Sequence, residues 1–165
     1  MPVVEFDAMP ANARVWIFAT DRPLGNGERD RLLKQVDGFL AQWRAHGAPL
    51  TAARDWRYDQ FLFVGVDEEA AGVSGCSIDA LVHGLRALEA ELDTRLIDHS
   101  PVLYRDNREI RRVSRPDFDE LVKAGSVTSQ TTVFNNTLTS VGDVRDGKWE
   151  GPAADSWHGQ AFFDG

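Results

Sequence analysis

The sequence predicts an α+β fold: a ferredoxin-like βαββαβ sandwich over about residues 13–106, carrying a C-terminal extension of helix, strand and tail packed on it. Three observations lead there. Apolar residues recur at helical spacing from Leu32 to Trp43 and again from Ile78 to Leu92; short β-rich runs alternate with these two stripes; and at Ser114 the pattern changes to capping and turn residues. With 165 residues the chain is short for two full-sized domains, so regions 1–106 and 107–165 are expected to form one compact unit.

The first strand is expected at Arg14-Val15-Trp16-Ile17-Phe18-Ala19-Thr20, apolar on both alternating faces as a central strand covered on each side would be. Turn chemistry follows from Asp21 to Gly27, with Asn26 as a candidate cap. Leu32, Leu33, Val36, Phe39, Leu40 and Trp43 then lay one apolar stripe along a helix that Gly47 stops. Thr51 to Tyr58 and Phe61 to Val66 read as a hairpin closed by Asp59-Gln60.

After Gly72-Val73-Ser74-Gly75 a second helix is expected from Cys76 or Ser77 to about Leu92, burying Ile78, Leu81, Val82, Leu85, Leu88 and Leu92. Val102-Leu103-Tyr104 makes the fourth strand. The stretch Arg105 to Arg115 mixes arginines with Asp106 and Glu109, so its field cancels locally and it reads as a solvated connection. Ser114-Arg115-Pro116-Asp117 has capping-box spacing, Phe118, Leu121 and Val122 give a short helix ended by Gly125, and Thr131 to Phe134 is a strand. Trp149, Trp157, Phe162 and Phe163 carry too much aromatic area for water, so the tail is expected to dock on the main body or on a partner.

Composition narrows the function classes. The net charge is -8 and no window clusters lysine and arginine, which argues against nucleic acid. Trp16, Trp43 and Trp56 are accordingly core or rim aromatics rather than a base-stacking platform. No stretch has the length of apolar residues a membrane span needs, and the first ten residues lack the pattern of an export signal. A single cysteine, Cys76, suits a reducing compartment, so a soluble, cytoplasmic protein is expected.

Helical spacing puts Cys76, Asp79 and His83 on one face, opposite the apolar stripe. A thiolate at a helix start is stabilised by free amides and the positive end of the helix dipole, which makes it a better nucleophile. His83 is about 10 Å along the helix from Cys76, too far to be its base, so His158 of Ser156-Trp157-His158 is the candidate base. In this reading Cys76, Asp79 and His158 are catalytic, with Gly75 and Ser77 as anion or oxyanion donors and His83 and Asn136 as ligand contacts. The partner would be a small polar or anionic ligand. The same residues also suit an ordinary capped helix start, with Asp79 complementing the dipole and His83 bonding back to it. Whether the chain is an enzyme stays open between these readings. The alternative is a non-catalytic interaction or scaffold protein, dimeric through the edges of its sheet.

No CxxC or HxxxH spacing is present, and neither a metal nor a cofactor is expected. Gly142-Asp143-Val144-Arg145-Asp146-Gly147-Lys148 copies the spacing of a phosphate-binding loop, yet Trp149 stands where a magnesium-binding hydroxyl belongs and Gly151-Pro152 follows where a helix should continue. ATP hydrolysis is disfavoured, and the segment reads as a surface turn.

The chain resembles a family of small uncharacterised bacterial proteins of about 160 residues. The resemblance is carried by Asn12-Ala13-Arg14-Val15-Trp16-Ile17, Ala45-His46-Gly47, Ser74-Gly75-Cys76-Ser77-Ile78-Asp79 with His83, Val133-Phe134-Asn135-Asn136 and Ser156-Trp157-His158. Members sometimes bear the label of an ABC-transporter ATPase. The resemblance implies no defined activity, but it singles out Cys76, Asp79, His83, Asn136 and His158 for attention. The C-terminal third, through Phe118-Asp119-Glu120-Leu121, Gly125, Thr132-Val133-Phe134 and Trp149, is more distantly similar to bacterial GYF-type interaction modules, without the aromatic and Gly-Pro residues of their peptide groove.

Overall fold

The computed structural model describes residues 5–45, 48–49, 51–67 and 75–163, with the side chains of 44–45, 48–49 and 75–77 outside that description. It is mixed α+β, and the chain divides into two compact units: Met1–Asp98 with Thr139–Gly142, and His99–Leu138 with Asp143–Gly165. Among the described residues no helix is long and apolar enough to cross a membrane.

In the first unit a 3-10 turn at Phe6–Ala8 precedes β1 (Arg14–Ala19) and α1 (Asn26–Gln42). A two-residue pair, β2 (Arg44–Ala45) and β3 (Ala48–Pro49), leads to β4 (Ala52–Arg57), β5 (Phe61–Val66) and α2 (Gly75–Leu92). The main sheet has the order β1-β5-β4 and is antiparallel throughout. The central strand is therefore β5 and not β1. All six residues of β5, Phe-Leu-Phe-Val-Gly-Val, are buried, the mark of a strand covered on both faces. On its other side β1 makes one bridge, Arg14 to Ser140, with Val15 N–H donating to Thr139 and Val141 N–H to Ala13.

One face of this sheet takes both helices. Phe18, Ala52, Leu62, Val64 and Val66 share a core with Leu32, Val36 and Leu40 of α1 and with Leu81, Leu85, Leu88 and Leu92 of α2. Both expected helix stripes are thus the buried ones. Gly84 in mid-helix costs α2 about 1 kcal/mol; each inward leucine returns roughly 1.5–3 kcal/mol on burial, so packing decides the helix. On the opposite face Phe63 meets Phe6, ring centroids 6.0 Å apart. A Cβ on Gly65 would stand 3.4 Å from both Phe6 and Val141, so the small residue lets these two close over the strand.

Two local expectations shift by one residue. Gly25 is the N-cap of α1 and Asn26 its first residue, because Glu28 supplies the acceptor for the Gly25 N–H at 3.1 Å. The β4–β5 turn is centred on Tyr58 and Asp59, both at φ 56°, with Gln60 N–H donating to Arg57 at 3.1 Å. Positive φ at both central residues is the type I′ geometry that matches strand twist. The expected helix stop at Gly47 lies outside the described residues, and α1 ends earlier, at Gln42.

The second unit begins with β6 (Val102–Asp106), β7 (Glu109–Val113) and α3 (Arg115–Lys123). β8 (Thr132–Phe134), α4 (Val141–Arg145), which starts at the end of the first unit's return segment, and β9 (Glu150–Pro152) follow. A 3-10 turn at Ala153–Asp155 and a π-helical turn at Gly159–Phe163 end it. Its sheet has the order β7-β6-β8-β9, antiparallel throughout. The expected fourth strand forms at β6 but joins this second sheet, so the described strands do not make the four-stranded ferredoxin-like sheet. The stretch read as a solvated connection contains β7: Asn107, at φ 58°, turns the chain back on β6.

Both ends of α3 follow the sequence signals. Ser114 Oγ accepts from Asp117 N–H at 3.2 Å. At the other end Gly125, φ 76°, donates to Val122 while Ser126 donates to Leu121, the two bonds of a Schellman motif. Phe118 is fully buried, with Phe162 edge-on at 4.8 Å and Tyr104 at 5.6 Å. The aromatic tail therefore packs within its own unit.

Candidate functional site

The expected site residues fall into the two units. Gly75, Cys76 and Ser77 form the first turn of α2, and their side chains, with the expected approach of His158 to Cys76, lie outside the described residues. Asp79 and His83 are exposed, as their spacing opposite the leucine stripe requires, and no hydrogen bond joins them. The expected bond of His83 back to Asp79 is absent.

Asn136 and His158 are in the second unit, each already engaged. Asn136 Oδ1 accepts from the Trp149 indole N–H at 2.9 Å, and Trp149, 3% exposed, packs on Phe134 with centroids 5.0 Å apart. His158 is 1% exposed. Trp157 stacks on its ring at 3.9 Å and Phe118 meets it edge-on at 6.4 Å. Its Nδ1 lies 2.7 Å from Ser156 Oγ, and its backbone N–H donates to the same hydroxyl at 3.2 Å. Burial, aided by the positive charge of Arg115, pushes the imidazole down to about 4. His158 is accordingly neutral at physiological pH and a weak proton acceptor there. The Ser156–His158 spacing of two residues was the sequence signal for this pair.

The looping segment expected to be a surface turn is α4 followed by a turn at Gly147, φ 81°. Lys148 pairs with Asp143 at 3.2 Å, an internal partner in place of a phosphate. A cavity of about 280 Å³ beside it is lined in part by Lys148, Trp149, Glu150 and Ser156. Its cation and several of its other polar groups are matched, Lys148 to Asp143, Glu150 to Arg105 at 3.0 Å and Ser156 to His158, which leaves the carboxylates of Asp146 and Asp155 without a partner among the described residues.

The first unit holds a different kind of cavity, at the far end of α2. It measures about 340 Å³ and is lined by Asp21, Arg86, Glu89, Asp93, Thr94 and Arg95 around Ala90. Arg86, Ala90 and Asp93 continue the outward face of Asp79 and His83 at steps of three and four. The rim is built by hydrogen bonds between loops. Thr94 Oγ1 donates to Asp21 Oδ1 at 2.5 Å and accepts from Asp21 N–H at 3.3 Å. Glu89 Oε2 accepts from Leu96 N–H at 2.6 Å and Ile97 N–H at 3.2 Å.

Arg22 fastens the same corner. It forks onto Glu28 at 2.6 and 2.9 Å and donates to the last carbonyl of α2, Leu92, at 2.8 Å. The Arg22 hydrogen bonds, helped by the Gly25 N–H, hold the Glu28 carboxyl down at about 2. In turn Glu28, with smaller contributions from Asp21 and Asp93, raises the Arg22 pKa.

Within this framed cavity Arg86 and Arg95 have neither an ion pair nor a hydrogen bond among the described residues, and neither does Asp93. Arg22 at the same corner is paired with Glu28, while Arg108 on the β6–β7 turn, like Arg86 and Arg95, has no carboxylate partner among the described residues. Sequence reasoning passed over the cavity because its lining joins a residue after β1 to the end of α2. The legible signal was the Arg86, Ala90, Asp93 continuation of the polar face. Among the described residues no three histidine, cysteine, aspartate or glutamate side chains gather to hold a metal ion. No family model, curated protein or solved structure matches the chain.

Proposed function

We propose that the chain binds a small polar or anionic ligand on the outward face of α2. The observation that carries this reading is the cavity at the end of that helix, where Arg86 and Arg95 line the same space without carboxylate partners among the described residues. The depression is open and its lining is almost entirely polar, so a ligand there would be held by charge and hydrogen bonds rather than by burial. The test is titration with inorganic phosphate and with acetate, followed by the backbone and guanidinium NMR signals of residues 86–95. Saturable shifts there that vanish in Arg86→Ala and Arg95→Ala support the reading. Signals that stay in place for both probes count against an anion-binding site.

A second reading retains the thiol at the start of α2, with Gly75 and Ser77 as donors beside Cys76 and Asp79. Its support is the exposure of Asp79 and His83 on the face that spacing shares with position 76. Since His158 is held neutral with a low affinity for protons, Cys76 would draw its reactivity from the helix terminus. Alkylation with iodoacetamide across pH measures this: a Cys76 pKa at the free-thiol value removes the nucleophile. The non-catalytic reading is favoured in the second unit, where Asn136 and His158 are committed to packing. A dimer by size exclusion that persists in Cys76→Ala and His158→Ala would support it.

A further inference from the structure

We infer that the ligand of the α2 cavity is a small zwitterion of the free α-amino-acid type, an inference that rests on the ligand-binding reading above. Among the described residues Arg86 and Arg95 offer two cations with no ion-pair or hydrogen-bond partner, and Asp93 offers a carboxylate that makes neither contact and whose charge is shared only at longer range with Arg22. Asp21 adds a second acidic group, whose Oδ1 is the oxygen engaged by Thr94. Glu89 is oriented by the Leu96 and Ile97 amides through one oxygen.

The balance of charge selects the ligand class. Three carboxylates against two guanidinium groups make the lining slightly negative, so a simple anion meets repulsion while it satisfies the arginines. A simple cation leaves both guanidinium groups facing it. A molecule carrying a carboxylate and an ammonium a few ångströms apart answers both sets, its carboxylate to the Arg86–Arg95 pair and its ammonium to Asp93 and Asp21. The second-unit cavity carries no such argument, because its lysine, Lys148, is paired with Asp143 and the groups left without partners, Asp146 and Asp155, are both carboxylates.

The experiment compares four probes on the full chain: the protein amino acids as free zwitterions, the same set N-acetylated, the same set as C-terminal amides, and inorganic phosphate. NMR signals of Arg86, Asp93, Thr94 and Arg95 report binding. The expected result is a shift with at least one free amino acid, at least tenfold weaker with its acetylated and amide forms, and lost in Arg86→Ala and in Asp93→Asn. Equal binding of an acetylated or amide form overturns the zwitterion while leaving a ligand site. Binding of phosphate alone does the same. Silence with all four probes overturns both this inference and the reading beneath it. Both variants change exposed side chains, and unchanged spectra of the leucine methyls in the core verify that they fold.

Discussion

Lowering the pH from 7 to 5 should cost the second unit stability through one residue, His158. The imidazole is buried between Trp157 and Phe118 and held at about 4, against an ordinary value of 6.5. A depressed histidine pKa means that the folded state favours the neutral ring. Its contribution is fully present above pH 6.5, and it is lost as pH falls through 6.5 toward 4, because the unfolded chain then binds the proton first. The whole interval corresponds to roughly 3 kcal/mol, of which about 2 kcal/mol is gone by pH 5.

Urea unfolding at pH 7 and pH 5, followed by fluorescence, reads this loss, with His158→Phe as the control. Phenylalanine keeps an aromatic ring against Trp157 but has nothing to protonate. It gives up the Ser156 bond, about 0.5–1.5 kcal/mol at pH 7, and should flatten the change between pH 7 and 5. The ring-proton NMR titration measures the pKa directly. A midpoint near 6.5, or an undiminished pH dependence in His158→Phe, would refute the burial argument. Glu28 does not confuse the comparison, since its carboxyl, held near 2, contributes stability that is lost only as pH falls below its ordinary value of 4.5.

Three further outcomes are expected. Asn136→Ala strands the Trp149 indole N–H beneath Phe134 and should destabilise the protein by about 1–3 kcal/mol in urea unfolding, with a change in tryptophan fluorescence. Gly125→Ala forces a side chain into φ 76° at the end of α3 and should cost about 1 kcal/mol, visible as a lower thermal midpoint. Tyr58→Asn with Asp59→Gly puts the residues preferred by a type I′ turn where both φ angles are 56°; a gain of about 1 kcal/mol is expected, and a loss would show that the Tyr58 ring, 6.5 Å from Phe61, matters more than backbone strain.

What the sequence made legible was local. The stripes of α1 and α2, the hairpin of β4 and β5 and both caps of α3 depend on residues a few positions apart, and periodicity reads such patterns directly. What it hid was pairing. Val102 to Tyr104 reads as a strand from its own residues, but its choice of Glu109–Val113 and Thr132–Phe134 as neighbours depends on Asn107 reversing the chain and on Phe118 closing a separate core. Charge misled there: the arginines of β7 looked like a solvated connection, although alternate residues Ile110 and Arg112 are half-buried. At the site, the outward face of α2 was visible at Asp79 and His83. Its continuation to Arg86 and Asp93 acquires meaning only when Asp21 arrives from the end of β1.

The two features of α2 are physically separate. From Cys76 to Asp93 the helix advances about 25 Å at 1.5 Å per residue, several times the span of a small zwitterion. The dipole also differs: amides at the start favour a thiolate or an anion, while the carbonyls near Leu92 favour positive charge, and Arg22 already occupies the last of them. A carboxylate at the far end therefore gains nothing from the helix terminus and depends on Arg86 and Arg95, whereas an ammonium group depends on Asp93, whose charge it would share with Arg22. The proposed zwitterion is therefore expected to be oriented by the side chains of the lining, with its ammonium toward Asp93 and its carboxylate toward the guanidinium groups.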